Sequence, residues 1–512
     1  MGVPRVVRGR GWQGGAPVGE HVVATEFTGA DRTRFRERLR AGLEVFGRML
    51  AEDRFERGRT LMGVELELDL VDPVGRPVMV NQDVLSRIAS RDFQTELGQF
   101  NLEVNIAPHK LVGTVFSELA EELRTSLAYA DRQARAAGAR ILMIGILPTL
   151  DEAHMVVENF SPENRYFLLN DEIAQIRGED FQVEIEGVER LRTSFASIMP
   201  EACNTSVQFH LQVSPETFAA AWNAAQALSG VQVALAANSP FLFGRELWAE
   251  TRITLFEQAT DFRVQEMAAQ GVRPRVWFGE RWISSPLDLF EENLRYFTAL
   301  LPVSSEEDPE KVLAQGGVPH LPELRLHNGT VYRWNRPIYD VARGKPHLRV
   351  ENRVLPAGPT VVDVLANAAF FYGCMKSMME DADPVWRHLA FADAARNLHT
   401  GARDGLAAEL EWRKDRYGSP VAVRKLVLED LLPAAARGLD ALGIDPRDRD
   451  EFLGIIEGRC VTGRNGSTWL SEEFHRLVAE EGLERAGALE RLTIGYADQM
   501  LSGAPAHLWP RG

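Results

Sequence analysis

The sequence predicts an α+β fold with a largely antiparallel sheet and a mainly helical C-terminal part. Three observations carry this reading. Four segments alternate apolar and polar residues with a period of two, as half-buried strands do. Helical segments do not alternate regularly with them, which argues against a parallel βαβ sheet. From Thr360 onward, helical periodicity dominates.

Taken in order, residues 1–26 hold Arg and Gly without an apolar stretch of signal-peptide type and read as a mobile tail. Residues 31–54 repeat Phe35, Leu39, Leu43, Phe46 and Leu50 at helical spacing, so 27–60 reads as an N-terminal helical segment. Residues 61–71 alternate without a break: Val64, Leu66, Leu68 and Leu70 on one face, Glu65, Glu67 and Asp69 on the other. A turn at Asp72-Pro-Val-Gly75 follows. A second strand, residues 100–106, carries Asn101, Glu103 and Asn105 on one face and is expected to stop at Pro108. Residues 114–138 read as a helix capped by Thr114 and ended by Gly138. The apolar run 141–147 suits a fully buried strand. The third alternating strand, 206–213, places Gln208, His210 and Gln212 together, with Ser214 and Pro215 opening a helix. Residues 304–317 read as a long polar surface loop. The fourth strand, 347–354, aligns Arg349, Glu351 and Arg353. An interruption at Tyr417-Gly-Ser-Pro420 breaks the helical part. The expected organisation is a catalytic α+β unit over 61–360 and a helical region over 361–512 packed on it.

The composition is that of a globular enzyme-sized chain, 45% hydrophobic and 25% charged. The net charge of −16 argues against non-specific nucleic-acid binding, because no basic excess exists to release counterions. No apolar run is long enough to span a bilayer. Cys203, Cys374 and Cys460 form no CxxC pair and no disulfide framework, so a reducing cytoplasm is expected.

Each alternating strand has a polar face, and such faces either meet water or line a shared cleft. If the strands are neighbours, Glu65, Glu67, Glu103, His210 and Glu351 form a set suited to a hard cation such as Mg²⁺. Close carboxylates repel unless a cation lies between them. Zinc is disfavoured, since no Cys cluster or HExxH accompanies them. Taken alone, His210 reads more readily as a satisfied core or surface histidine than as a ligand. Arg349 and Arg353 suit either ordinary ion pairing on a sheet or bidentate binding of phosphate or carboxylate. There is no Walker loop and no GxGxxG, so a nucleotide would have to be held through metals and arginines on the sheet. Cys203 has no nucleophile context.

Gly63-Val-Glu-Leu-Glu67, the Glu103 strand, Gln208-Phe-His210, Ala236-Ala-Asn-Ser-Pro240 and Glu351-Asn-Arg353 occur in that order. Together they resemble the glutamate–cysteine ligase family in its bacterial and plant-like carboxylate–amine ligase branch, and the segment Gln94-Thr-Glu-Leu-Gly-Gln-Phe100 looks like its longer actinobacterial members. The resemblance implies a funnel-like antiparallel sheet of glutamine synthetase type with outer helices, binding ATP and two or three Mg²⁺ ions, with Mn²⁺ as a substitute. It implies that Glu65, His210 and Glu351 hold one ion at the β- and γ-phosphates, and that Glu67 and Glu103, with Glu96 as an addition, hold another. Arg252 matches the family's substrate-binding arginine, and Arg349 and Arg353 would contact phosphates. The segment from His327 through Thr330 and Arg333 to Arg336 would line the same cleft and hold the nucleotide. The implied reaction is ATP-dependent amide formation through an acyl phosphate, with L-glutamate as donor and an amino-acid amine, L-cysteine foremost, as acceptor. Arg333-Trp-Asn-Arg-Pro337 and the Glu250-Thr251 pair before Arg252 depart from the family pattern, so the reaction class carries over better than the substrate. The alternatives are a guanidino-kinase-like phosphotransferase on the same architecture and a non-catalytic nucleotide- or amino-acid-binding protein.

Overall fold

The computed structural model describes residues 27–413, 416 and 420–510. The expected tail, and the expected interruption at 417–420 apart from Pro420, lie outside them.

Seven strands build one antiparallel sheet: β1 Leu61–Val71, β2 Phe93–Thr95, β3 Asn101–Lys110, β4 Arg140–Leu142, β5 Ser206–Val213, β6 Asn335–Ala342 and β7 Lys345–Pro356. Their order is β6-β7-β5-β1-β3-β2, with β4 also paired to β1. The sheet curls into a half-barrel, and all four alternating segments are neighbours in it.

Alternation decides what each face does. Val64, Leu66, Leu68, Leu102, Val104, Val207 and Phe209 are at most 1% exposed and form the helix-covered back of the sheet. Covering them are α2 Val115–Ala136, α3 Pro215–Ala236, α4 Val361–Met379, α5 Leu432–Leu442 and α6 Pro446–Thr462, in part directly and in part through one another, while α1 Gly29–Ala51 packs on the helices Pro286–Tyr296, Pro309–Ala314 and Pro322–Gly329. Helix α3 is apolar on nearly all sides because it is buried on nearly all sides. Helix α4 is pinned to the sheet by the Tyr372 hydroxyl, which donates to the His210 carbonyl at 2.9 Å. Gly373 of α4 and Gly438 of α5 face each other so closely that a Cβ on either would enter the opposite backbone. Helix α1 starts at a capping box between Thr28 and Asp31. Its Phe46 ring lies 5.6 Å from Tyr339 of β6, so α1 buttresses the outermost strand.

Several expectations are corrected. Strand β3 passes through Pro108 to Lys110, because a bulge there leaves the missing N–H outside the ladder: Val64 pairs with Ile106 but Met62 with His109. Of 141–147 only the first two residues are strand, since β5 pairs with that edge of β1 up to Leu66 and leaves β4 only Asp69–Val71. The following buried backbone is satisfied elsewhere, for instance by the Tyr496 hydroxyl on the Met143 carbonyl at 2.7 Å. The expected surface loop contains a helix, Pro309–Ala314, capped by Asp308. Strand β6 and a hairpin over 181–195 were not foreseen. Thr114 does not cap α2 with its side chain. Asp448 of α6 does, accepting from the Phe116 and Ser117 amides at 2.9 and 3.2 Å. Among the described residues no helix is long and apolar enough to cross a membrane, and all three cysteines are free and buried.

The Asp448 cap yields a prediction. Asp448→Ala should cost about 1–3 kcal/mol by leaving two amides unsatisfied, lowering the thermal midpoint and speeding amide exchange at Phe116 and Ser117. Asp448→Asn, which keeps an acceptor, should lose less; equal losses would remove the capping role.

Candidate active site

The polar face of the sheet floors a cleft of about 570 Å³. Register places its side chains. Glu67 lies directly opposite Glu103, Glu351 opposite His210, and Glu65 between Asn105 and Gln208. Two groups of possible ligands result: Glu65, His210 and Glu351, and Glu67, Glu96 and Glu103, each with atoms within 4.8 Å of one another. In the first, His210 Nε2 stands 2.9 Å from Glu65 Oε1, while His210 Nδ1 is buried without a hydrogen-bond partner. In the second, Glu67 accepts from the Ser206 amide at 2.6 Å and from Gln208 at 3.0 Å. Glu103 accepts from Gln94 and from Asn105, the latter at 2.7 Å.

The two groups differ in their counter-charges. Arg336 grips Glu351 with two nitrogens, Nη2 at 2.9 Å from Oε1. Arg353 adds a third contact at 3.1 Å and also donates to Gln208. It sits in a β-bulge, where β7 has three steps against two on β5, and the bulge aims its side chain into the cleft. Burial raises Glu351, but Arg336 and Arg353 outweigh it and hold this carboxyl well below the usual range. Burial likewise opposes Glu65, whose pKa is nonetheless lowered, chiefly by His210. The second group has no such arginine pair. Burial pushes Glu103 up to about 7, with the charges of Glu65 and Glu67 adding to it. Burial and then Glu103 and Glu67 put Glu96 well above the ordinary range.

Ten of the twelve expected site residues line the cleft: Glu65, Glu67, Glu96, Glu103, His210, Glu351, Arg349, Arg353, Arg336 and Thr330. Arg349 leans on Asp340 at 3.3 Å, as does Arg325 at 3.2 Å. Two expectations are corrected. Arg252 does not line the cleft: it is buried, its Nε is 2.9 Å from Glu250, and it donates to the Val354 carbonyl. Glu250, the residue that departs from the family pattern, thus supplies its partner. Arg333 is turned away too, bound to Glu292 at 3.0 Å and stacked 4.6 Å from the Trp277 ring centroid. His327 also faces inward, against the Asn293 carbonyl at 3.0 Å, and burial pushes it down to about 4. The sequence reading missed Arg91, Arg165, Glu201, Arg325 and Asp340 in the lining. Asp340 stands in an alternating segment that Pro337 disguised; the others lie in turns and short helices without a motif.

The crowding of the second group makes a pH prediction. Glu103 is raised above its ordinary value of 4.5, so its contribution to stability is fully present below about pH 4.5 and is lost as pH rises through about 7. Without divalent cations, Glu103→Gln should therefore gain on the parent protein over that window, by roughly 2–4 °C in thermal midpoint. A difference that does not change with pH would mean the carboxylates do not repel one another.

The glutamate–cysteine ligase family 2 (GCS2) sequence model matches residues 61–493. A Mycolicibacterium vanbaalenii protein named as a candidate glutamate–cysteine ligase 2-2 is 35% identical over 98 residues, which is 19% of this chain and 26% of that protein. The match thus spans about a quarter of that relative's length. Among solved structures, the glutamate–cysteine ligase of Francisella tularensis in complex with AMP superposes with a TM-score of 0.50 at 12% identity, covering 88% of this chain and 90% of that one. At that identity the likeness speaks for the fold. The family match covers the whole curled sheet and most of the helices behind it, and the chain therefore belongs to glutamate–cysteine ligase family 2.

Proposed function

We propose that the cleft joins a carboxylate to an amine at the expense of ATP through an acyl phosphate, with L-glutamate as donor and a small α-amino acid, L-cysteine foremost, as acceptor. One observation supports this above the rest: two groups of carboxylates, one containing an imidazole, stand side by side on one sheet face with arginines at one end. The donors fit Mg²⁺ or Mn²⁺, being carboxylate oxygens with a single imidazole and no thiolate. Burial and the neighbouring carboxylates raise Glu96 and Glu103, and a divalent cation among them would relieve that repulsion. Glu65, His210 and Glu351 would hold one ion and Glu67, Glu96 and Glu103 another. Such ions would supply the positive charge that offsets what develops during phosphoryl transfer.

The chain's own residues supply the rest. Arg353, fixed by Glu351 and Gln208, presents its guanidinium to the γ-phosphate without having to reorganise. Arg336 and Arg349 extend the positive edge along the phosphates, and Thr330 closes that wall. The donor carboxylate attacks the γ-phosphorus and ADP leaves. The amine then attacks the acyl carbon and phosphate departs. No protein nucleophile is needed, in keeping with buried cysteines whose thiols are pushed up by burial.

The deciding experiment is steady-state ADP release with Mg²⁺ and ATP across a panel of carboxylates and amines, with mass spectrometry of the product. A γ-glutamyl amide is expected. A stable phosphorylated product without an amide would replace the ligase by a phosphotransferase, and absence of metal-dependent ATP turnover would leave only binding. In the same assay Glu67→Ala should abolish turnover with the fold intact. Arg353→Lys should lose on the order of 100-fold in rate, because a point charge cannot replace a two-armed grip. A loss under about twofold would make Arg353 a plain ion-pair partner.

A further inference from the structure

Among the described residues seven arginines are buried, and six of them pair with a carboxylate. Arg275 alone among these pairs with none. It is 1% exposed, and burial pushes its pKa down to about 10, so it stays charged at neutral pH. Its surroundings are dipolar or aromatic. Nη1 donates to the Thr330 carbonyl at 2.9 Å and Nη2 donates to the Thr298 carbonyl. The guanidinium carbon is 5.7 Å from the ring centroids of both Phe262 and Phe297, and Nε is buried without a partner. Carbonyls and ring faces offset part of the desolvation cost but carry no net charge. A buried charge without a counter-ion is unfavourable, and in a low dielectric its field reaches past its immediate contacts.

That charge stands directly behind the cleft wall. Arg275 precedes the short strand Val276–Trp277, which pairs in parallel with Tyr332–Arg333, and its carbonyl accepts from the Tyr332 amide at 3.0 Å. Arg275 thus holds the segment 330–332 at both ends, by its side chain at Thr330 and by its backbone at Tyr332. The Thr330 hydroxyl is turned inward, donating to the His327 carbonyl at 2.9 Å. Tyr332 lines the cleft, and its ring meets that of Phe256 edge-on at 5.6 Å. Its hydroxyl makes no hydrogen bond with any described residue. Burial and then Glu201 push that hydroxyl up to about 12, against the pull of Arg275, Arg353 and Arg336, so it remains a donor. An open donor in the field of three arginines is completed by an anionic oxygen.

We propose that the Tyr332 hydroxyl donates to a phosphate oxygen of the bound nucleotide, and that Arg275 is the positioning residue of Tyr332 and the buried counter-charge of that phosphate. The choice of phosphate over another anion rests on the ligase reading above, which sets the phosphates along Arg336 and Arg353. A guanidinium buried without a carboxylate then has a physical reason: its partner arrives with the ligand. Arg275 itself touches no ligand and acts through the segment it holds.

Calorimetric titration of a non-hydrolysable ATP analogue in the presence of Mg²⁺ reads binding without chemistry. Tyr332→Phe, which keeps the ring, should weaken binding roughly tenfold and leave the thermal midpoint of the nucleotide-free protein unchanged. Arg275→Gln should weaken binding by a similar factor. The double variant should lose less than the product of the two single losses, because one residue acts through the other. Arg275→Lys keeps the charge and should bind the analogue more tightly than Arg275→Gln, which guards against a folding defect. Unchanged affinity in Tyr332→Phe, fully multiplicative losses in the double variant, or equal affinity in Arg275→Lys and Arg275→Gln would each overturn the assignment. So would a rise in KM for the carboxylate donor with nucleotide affinity unchanged. Weaker nucleotide binding in these variants of a protein that forms no amide would sink the ligase reading and keep this one. Amide formation with nucleotide affinity untouched by Tyr332→Phe would do the reverse, and failure of the unaltered protein to bind the analogue would overturn the inference.

Discussion

Glu67 sits directly across the sheet from Glu103, and the cleft depends on that pairing being enforced. Directly opposed residues in an antiparallel sheet have Cβ atoms about 5 Å apart, and like charges there are unfavourable. The force that holds them comes from the other face. Leu66, Leu68, Leu102 and Val104, fully shielded from water, lock β1 against β3 through their cover of helices. A slip of one residue would turn Leu66 into the cleft and Glu67 into the core. The apolar burial that drives folding is thus what keeps the carboxylates in register, and neither face can be altered without cost to the other.

Neutralisation across the cleft is uneven. At the β7 end, Arg336 and Arg353 surround Glu351 and keep it ionised. At the β3 end the carboxylates find only amides: Gln94, Asn105, Gln208 and the Ser206 N–H. These orient the oxygens without cancelling their charge. One half of the cleft is complete in itself; in the other, no arginine forms an ion pair with Glu67, Glu96 or Glu103 among the described residues.

The alternating strands were legible because a sheet buried on one face writes its period directly into the residues; β1 and β5 begin and end where the alternation does. The convergence of the two groups of possible ligands followed, since strand faces and the family resemblance together specify which side chains share the cleft. What could not be read depended on partners remote in sequence. Whether Arg252 enters the cleft is decided by Glu250 and a carbonyl of β7. Arg333 is decided by a helix some forty residues upstream, through Glu292 and Asn293. Pro108 misled because a bulge, invisible in one strand alone, absorbed it. Strand β6 was hidden by Pro337 and by the segment's resemblance to a family motif, which drew attention to roles and away from periodicity.

The Asp448 cap on α2 joins residues 332 positions apart. A ribosome adding roughly 5–20 residues per second therefore delivers the start of α2 about 20–60 seconds before the carboxylate that satisfies it. In that interval the helix behind β3 has bare amides at its first turn, and the apolar back of the nascent sheet has only part of its cover. Vectorial synthesis cannot finish this fold from its N-terminus forward. Its assembly waits on α6, and the partly covered sheet is the species that a holding chaperone would meet.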